Sequence, residues 1–150
     1  RDEAFAIFLP GAVISVTLSL TGGWLSDRVR LKYLLAALCV GLAISSASLA
    51  MLSRGLTYWT LIVGNGVSGG TFGVLLAVTW PRFFGRAHLG AISSLAISLN
   101  VFFSAIGPYL FGKIYELTGS YRPAAWVCLA VALVLLAMSV RADNPQPGRR

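Results

Sequence analysis

Apolar positions in this chain gather into long unbroken runs, and polar positions fall between them. Five runs, at residues 4–24, 33–52, 57–80, 89–112 and 124–140, contain no Asp, Glu, Lys, Arg or His. A hydrocarbon core about 30 Å thick needs roughly 20 apolar residues in a helix to cross it, and each run comes close to or exceeds that length. None shows the alternating pattern of a membrane strand, and in lipid only helices or closed barrels satisfy the backbone. The pattern predicts an all-α polytopic bundle of five transmembrane helices over residues 1–140, followed by a short polar tail at 141–150. The connections SDRVRLK, SRGLT, PRFFGRAH and KIYELTGSYRP are short, so consecutive helices run antiparallel.

Composition removes the alternatives. Hydrophobic residues make up 57% of the 150 and charged residues 11%, with a mean hydropathy of +0.78. Soluble domains are about a quarter charged, so this chain lacks the means to cover a water-facing surface. Its net charge of +7 sits in the gaps between apolar runs, not on a basic face of the kind that reads nucleic acid. Cys39 and Cys128 lie apart inside apolar runs, without CxxC spacing or a nearby His. They read as packing residues, with no metal site and no cofactor implied. With no intramembrane Ser/His/Asp set, HExxH or paired carboxylates, an enzyme is not expected.

The stretch GGWLSDRVRLKYLL carries Asp27, Arg28, Arg30 and Lys32 within six positions. Lysine and arginine concentrate on the cytoplasmic side of membrane proteins. Arg28, Arg30, Lys32, Arg82, Arg86, Arg141, Arg149 and Arg150 fall on one side, against Arg1, Arg54, Lys113 and Arg122 on the other. The larger group, with the C-terminus, is therefore placed in the cytoplasm of a multi-pass cell-membrane protein. An odd number of spans starting outside, from Arg1, leads us to expect at least one further helix upstream.

A weak internal repeat is also present. GGWLSDR (22–28) aligns with GPYLFGK (107–113), pairing Gly22 with Gly107, Leu25 with Leu110 and Arg28 with Lys113. With four more loop residues in the second copy, Leu38-Cys39-Val40 falls opposite Val127-Cys128-Leu129. The copies lie on opposite sides of the membrane, as in the inverted three-helix repeats of secondary transporters.

The segment Gly23-Trp24-Leu25-Ser26-Asp27-Arg28-Val29-Arg30-Leu31-Lys32 resembles the cytoplasmic signature G-x-x-x-D-[RK]-x-G-[RK]-[RK] of the major facilitator superfamily. Gly23, Asp27, Arg28 and Lys32 match; Arg30 replaces the usual glycine and Leu31 a usual basic residue. FFGRAHLGAISSLAISLNVFFSAIGPYLFGKIYELTGSYRPAAW is similar to the helix ten-to-twelve region, closest to the monocarboxylate and oxalate/formate-like branches. The resemblance implies helices eight to twelve of such a transporter, with helix seven and the N-terminal half as missing partners. It further implies that Asp27 engages a neighbouring helix in one access state and so acts as a conformational latch. From the residues alone, Asp27 can equally cap the helix that follows, and Gly23 lets a neighbouring helix approach.

Polar residues inside the runs suggest the remaining site. Asn65, Ser68, Phe72 and Thr79 recur near a helical period in the third run, as do Ser93, Asn100, Ser104 and Gly107 in the fourth. An amide in hydrocarbon needs a partner. Asn65, Phe72, Asn100 and Ser104 are thus candidates to contact a small-molecule substrate in a central cavity, the alternative being hydrogen bonds between helices. Gly66, Gly69, Gly70 and Gly73 suit close helix packing or helix sliding, and Gly107-Pro108 suits a kink or hinge. Trp24, Tyr58, Trp59 and Trp80 sit at span ends, where the lipid bilayer holds interfacial rings. The expected function is the C-terminal part of a secondary active transporter moving a small solute, an organic anion such as a monocarboxylate on the resemblance, by alternating access. The alternative is a small membrane accessory subunit that binds partner helices.

Overall fold

The computed structural model describes residues 2–51, 56–85 and 88–141. Arg1, Arg54, Arg86, Arg149 and Arg150, which entered the charge count, lie outside them. The described chain is five α-helices: α1 (Asp2–Ser26), α2 (Leu31–Ala50), α3 (Leu56–Phe84), α4 (Leu89–Thr118) and α5 (Arg122–Arg141). Each is long and apolar enough to cross a membrane. The all-α, five-helix membrane architecture read from the apolar runs is the architecture observed.

The helices outrun the apolar segments furthest at two ends. α3 continues through Pro81 to Phe84, and α4 continues through the sequence KIYELT to Thr118. Within that extension Lys113 and Glu116 form an i,i+3 ion pair at 2.8 Å, which suits a helical turn lying beyond the hydrocarbon. Gly119 then ends α4 in the left-handed conformation (φ 68°), its N–H donating to Tyr115 O, a conformation that favours glycine.

α3 is the centre of the bundle. It packs along α1 on one side and α2 on the other; α2 in turn packs along α5. Among the described residues α4 touches only α3 and α5, and lightly, and none of its residues is buried. The buried positions of α3 include Ile62, Gly64, Gly66, Ser68 and Gly70, every second residue. Two residues turn a helix through about 200°, so this spacing buries two opposite faces, as a helix between two neighbours must.

Glycine makes those contacts possible. A Cβ on Gly64 would stand 2.7 Å from Ser45 N, and one on Gly41 would stand 2.8 Å from Ser68 N, so α2 and α3 meet backbone to backbone. On the opposite face a Cβ on Gly70 would lie 2.7 Å from Ser15 O, and one on Gly66 would lie 2.7 Å from Ile14 Cγ2. Dispersion across such close backbones is the main attraction available between helices in lipid. A side-chain hydrogen bond joins α2 to α3, between the hydroxyls of Ser48 and Thr60 at 2.8 Å. At the other end Leu34, Val74 and Leu75 form a core against Val29, Leu31, Leu35, Leu38 and Val78. α5 meets α2 through buried small residues, Ala125, Ala132 and Ser139 among them, spaced seven apart along one face.

Candidate functional site

Two places gather the residues singled out by sequence. The first is the turn between α1 and α2. Backbone bonds from Arg28 and Val29 N–H to Leu25 O, each 2.9 Å, close the last turn of α1. The chain re-enters a helix at Leu31, with Arg30 in the cap position and no side chain capping it. The capping role open to Asp27 is therefore not the one it plays. Its carboxylate instead accepts a hydrogen bond from Arg82 Nη2 at 3.2 Å, three residues too early in the chain to reach the amides of α2.

Arg82 lies near the end of α3, and the same Nη2 donates to the carbonyl oxygen of Ser26, the last residue of α1. A guanidinium at a helix C-terminus meets both a free carbonyl and the negative end of the dipole. One side chain thus ties the end of α1 to the end of α3 through the backbone and Asp27 together. Asp27 is largely exposed, so the ion pair by itself contributes only about 0.2–1 kcal/mol. Arg82 escaped the motif because it lies 55 residues away; its basic charge at the same membrane side was the available signal.

The close helix approach expected of Gly23 belongs to its neighbour. Gly22 is buried, and a Cβ there would meet Val74 Cγ2 of α3 at 3.3 Å; at Gly23 nothing comes within 4 Å. One residue along a helix is about 100° of rotation, enough to carry Gly23 off the α1–α3 seam. Arg28 does not join the Asp27 pair; its guanidinium lies over the Trp24 ring, 3.9 Å from the centroid. Lys32 lies 5.9 Å from the centroid of Tyr33.

The second place is the outward face of α3. Asn65, Gly69, Phe72 and Gly73 are exposed there, at helical spacing on the strip that the two buried faces leave free. Ser68, expected to share it, is buried, its hydroxyl donating to Asn65 O at 3.0 Å. The two overlapping glycine pairs divide accordingly: Gly66 and Gly70 are buried against α1, while Gly69 and Gly73 are exposed at its edge. α1 borders that open strip through two serines not singled out by sequence. Ser15 Oγ lies 3.1 Å from a Cβ built on Gly69, and Ser19 Oγ lies 3.9 Å from one built on Gly73. Ser19 Oγ also donates to Gly70 O at 3.2 Å. Their i,i+4 spacing was visible in the sequence, but nothing there indicated that they face α3. The strip offers an amide, hydroxyls and an aromatic wall, and no charge. Such a surface can orient a small polar solute but cannot neutralise an ionised one.

Asn100 and Ser104 are exposed on α4. Ser104 Oγ donates within its own helix to Val101 O at 2.8 Å. Among the described residues no hydrogen bond carries the Asn65 or Asn100 amide to another helix, so the structure does not bring the α3 and α4 candidates together. α4 runs unbroken through Gly107 and Pro108, where proline leaves the carbonyl four residues earlier without its usual donor. A Cβ on Gly107 would meet nothing within 4 Å. No cluster of three His, Cys, Asp or Glu forms among the described residues. Searches of protein-family profiles, curated proteins and solved structures return no match to this chain.

Proposed function

We propose that the chain forms the C-terminal part of a secondary active transporter that moves a small solute, an organic anion such as a monocarboxylate, by alternating access. The observation that carries this reading is the unequal treatment of the two halves of the internal repeat. In an inverted repeat α1 corresponds to α4 and α2 to α5. The central helix α3, which packs on both α1 and α2, then calls for a counterpart packing on α4 and α5. Gly22 and Gly107 are aligned in the repeat. The first is filled by Val74 of α3 and the second faces open space, the difference expected if that counterpart lies outside these 150 residues. The resemblance to the major facilitator superfamily in the Gly23–Lys32 segment supports the same reading.

On this reading Asn65 and Phe72, with Ser15 and Ser19, contribute one wall of a cavity, and Asn100 and Ser104 contribute from α4 once its neighbours are present. The charge that an anionic substrate requires comes from the other half. The Asp27–Arg82–Ser26 tie holds α1 to α3 at the cytoplasmic ends, and its breaking and re-forming biases the access equilibrium.

The test is uptake by the complete polypeptide containing these residues, reconstituted in proteoliposomes and offered radiolabelled monocarboxylates and dicarboxylates across imposed pH and sodium gradients. Saturable uptake that Asn65→Leu weakens supports the proposal. Absence of uptake of any solute, together with a stable stoichiometric complex with a different membrane protein through α4, would support the accessory-subunit reading, which the bare face of α4 also favours.

A further inference from the structure

We propose that the turn between α1 and α2 binds the phosphate of anionic phospholipid headgroups. The inference rests on the membrane location of the chain and not on transport.

Three cations, Arg28, Arg30 and Lys32, fall within five consecutive positions where two helices long enough to cross a membrane meet. Asp27 is the acid beside them, and its bonded carboxylate oxygen is already taken by Arg82. Among the described residues none of the three forms a salt bridge. Two are held instead against aromatic rings, Arg28 over Trp24 and Lys32 near Tyr33. A ring attracts a cation without cancelling its charge, so the full positive charge stays available to an anion. Trp24 and Tyr33 are each 60% exposed, beside helix ends where such rings settle at headgroup depth. The rings thus hold the cations in the layer of lipid phosphates.

The opposite end of the molecule serves as a control. At the α4–α5 turn Lys113 is neutralised by Glu116 at 2.8 Å, and the rings of Tyr115 and Tyr121 stack on each other at 4.6 Å, with no cation among the described residues placed over them. Both turns are basic, but among the described residues the α1–α2 turn holds three cations outside any salt bridge, against Arg122 alone at the α4–α5 turn.

The ligand chemistry is a phosphate anion, and the source we commit to is a phospholipid. The complete polypeptide, purified in detergent, is titrated with phosphatidylglycerol and with phosphatidylcholine of the same acyl chains, and bound lipid is counted by native mass spectrometry. We expect phosphatidylglycerol to bind preferentially. Arg28→Gln/Arg30→Gln/Lys32→Gln should reduce that preference about tenfold or more, since each basic residue near an anionic surface contributes appreciably to attraction. Lys113→Gln/Arg122→Gln should leave it intact. Arg30→Gln alone, whose side chain makes no bond among the described residues, should lower it a few-fold and serves if the triple variant fails to insert. Equal binding of the two lipids, or a preference unchanged in both the triple variant and Arg30→Gln, would overturn the proposal. Displacement of the lipid by inorganic phosphate at equal concentration would assign the site to free phosphate and overturn it as well.

Discussion

α3 and α4 are nearly equal in length, 29 and 30 residues, and both carry several glycines, at least one serine and one asparagine. α3 is buried on two faces, and α4 has no buried residue. What separates them is not apolar content but the register of small residues. The glycines of α3 recur two and four apart and bring backbones into contact on both sides, while Gly90, Gly107 and Gly112 of α4 meet nothing within 4 Å. In lipid, an apolar surface gains little by leaving one hydrocarbon for another. A helix is therefore fixed in place by close steric fit, and α4 has none within these residues.

The comparison can be broken most directly at the α2–α3 contact. Gly64→Leu places a branched side chain where even a Cβ lies 2.7 Å from backbone, and cores lose about 1–3 kcal/mol or more to overpacking. Thermal unfolding in detergent should show the helix pair separating, and an unchanged midpoint would refute the close contact. The same small substitution then sharpens the contrast. Gly70→Ala should destabilise the bundle through its clash with Ser15 O, whereas Gly107→Ala should stabilise the isolated chain by about 1 kcal/mol, the helix-propensity gain alone. Opposite signs are expected; the gain at Gly107 should vanish in any assembly where another helix packs there.

Ser48→Ala removes the hydroxyl pair with Thr60 and should cost about 0.6 kcal/mol, a typical interhelical hydrogen bond in a membrane; denaturant unfolding in mixed micelles resolves that size. The smallest stability effect is expected for Asp27→Asn, below about 1 kcal/mol because the pair is exposed. Under the proposed transport function its consequence is kinetic: turnover should slow with little change in substrate affinity. Unchanged turnover would remove Asp27 from the latch while leaving Arg82 as a cap on α1.

Much of the fold was legible because each span is a local property. An uninterrupted apolar run of sufficient length is helical in lipid whatever its neighbours, and the turns announce themselves by their charge. The site was less legible. Asn65 and Phe72 lie on the exposed strip of α3 as their spacing suggested, but Ser68 does not, because α3 is clasped on two sides and its free face is narrower than a one-sided helix would present. Gly64 belongs to no motif in the sequence, and the contact with α3 is made by Gly22 and not by Gly23 of the motif. A shift of one residue is invisible to composition but amounts to about 100° on a helix. Ser15, Ser19 and Arg82 acquire their roles only from partners more than 50 residues away.

The sequence by itself determined a five-helix membrane chain, its charged turns and its antiparallel order, since hydrophobic length and loop length act locally and need no partner. The tertiary structure alone decided which helix became the centre, which glycines met backbone, where Asp27 found its counter-ion, and which face of α4 remained bare. Those outcomes depend on fit between surfaces distant in the chain. In lipid that fit is steric and short-ranged, so no stretch read alone contains it.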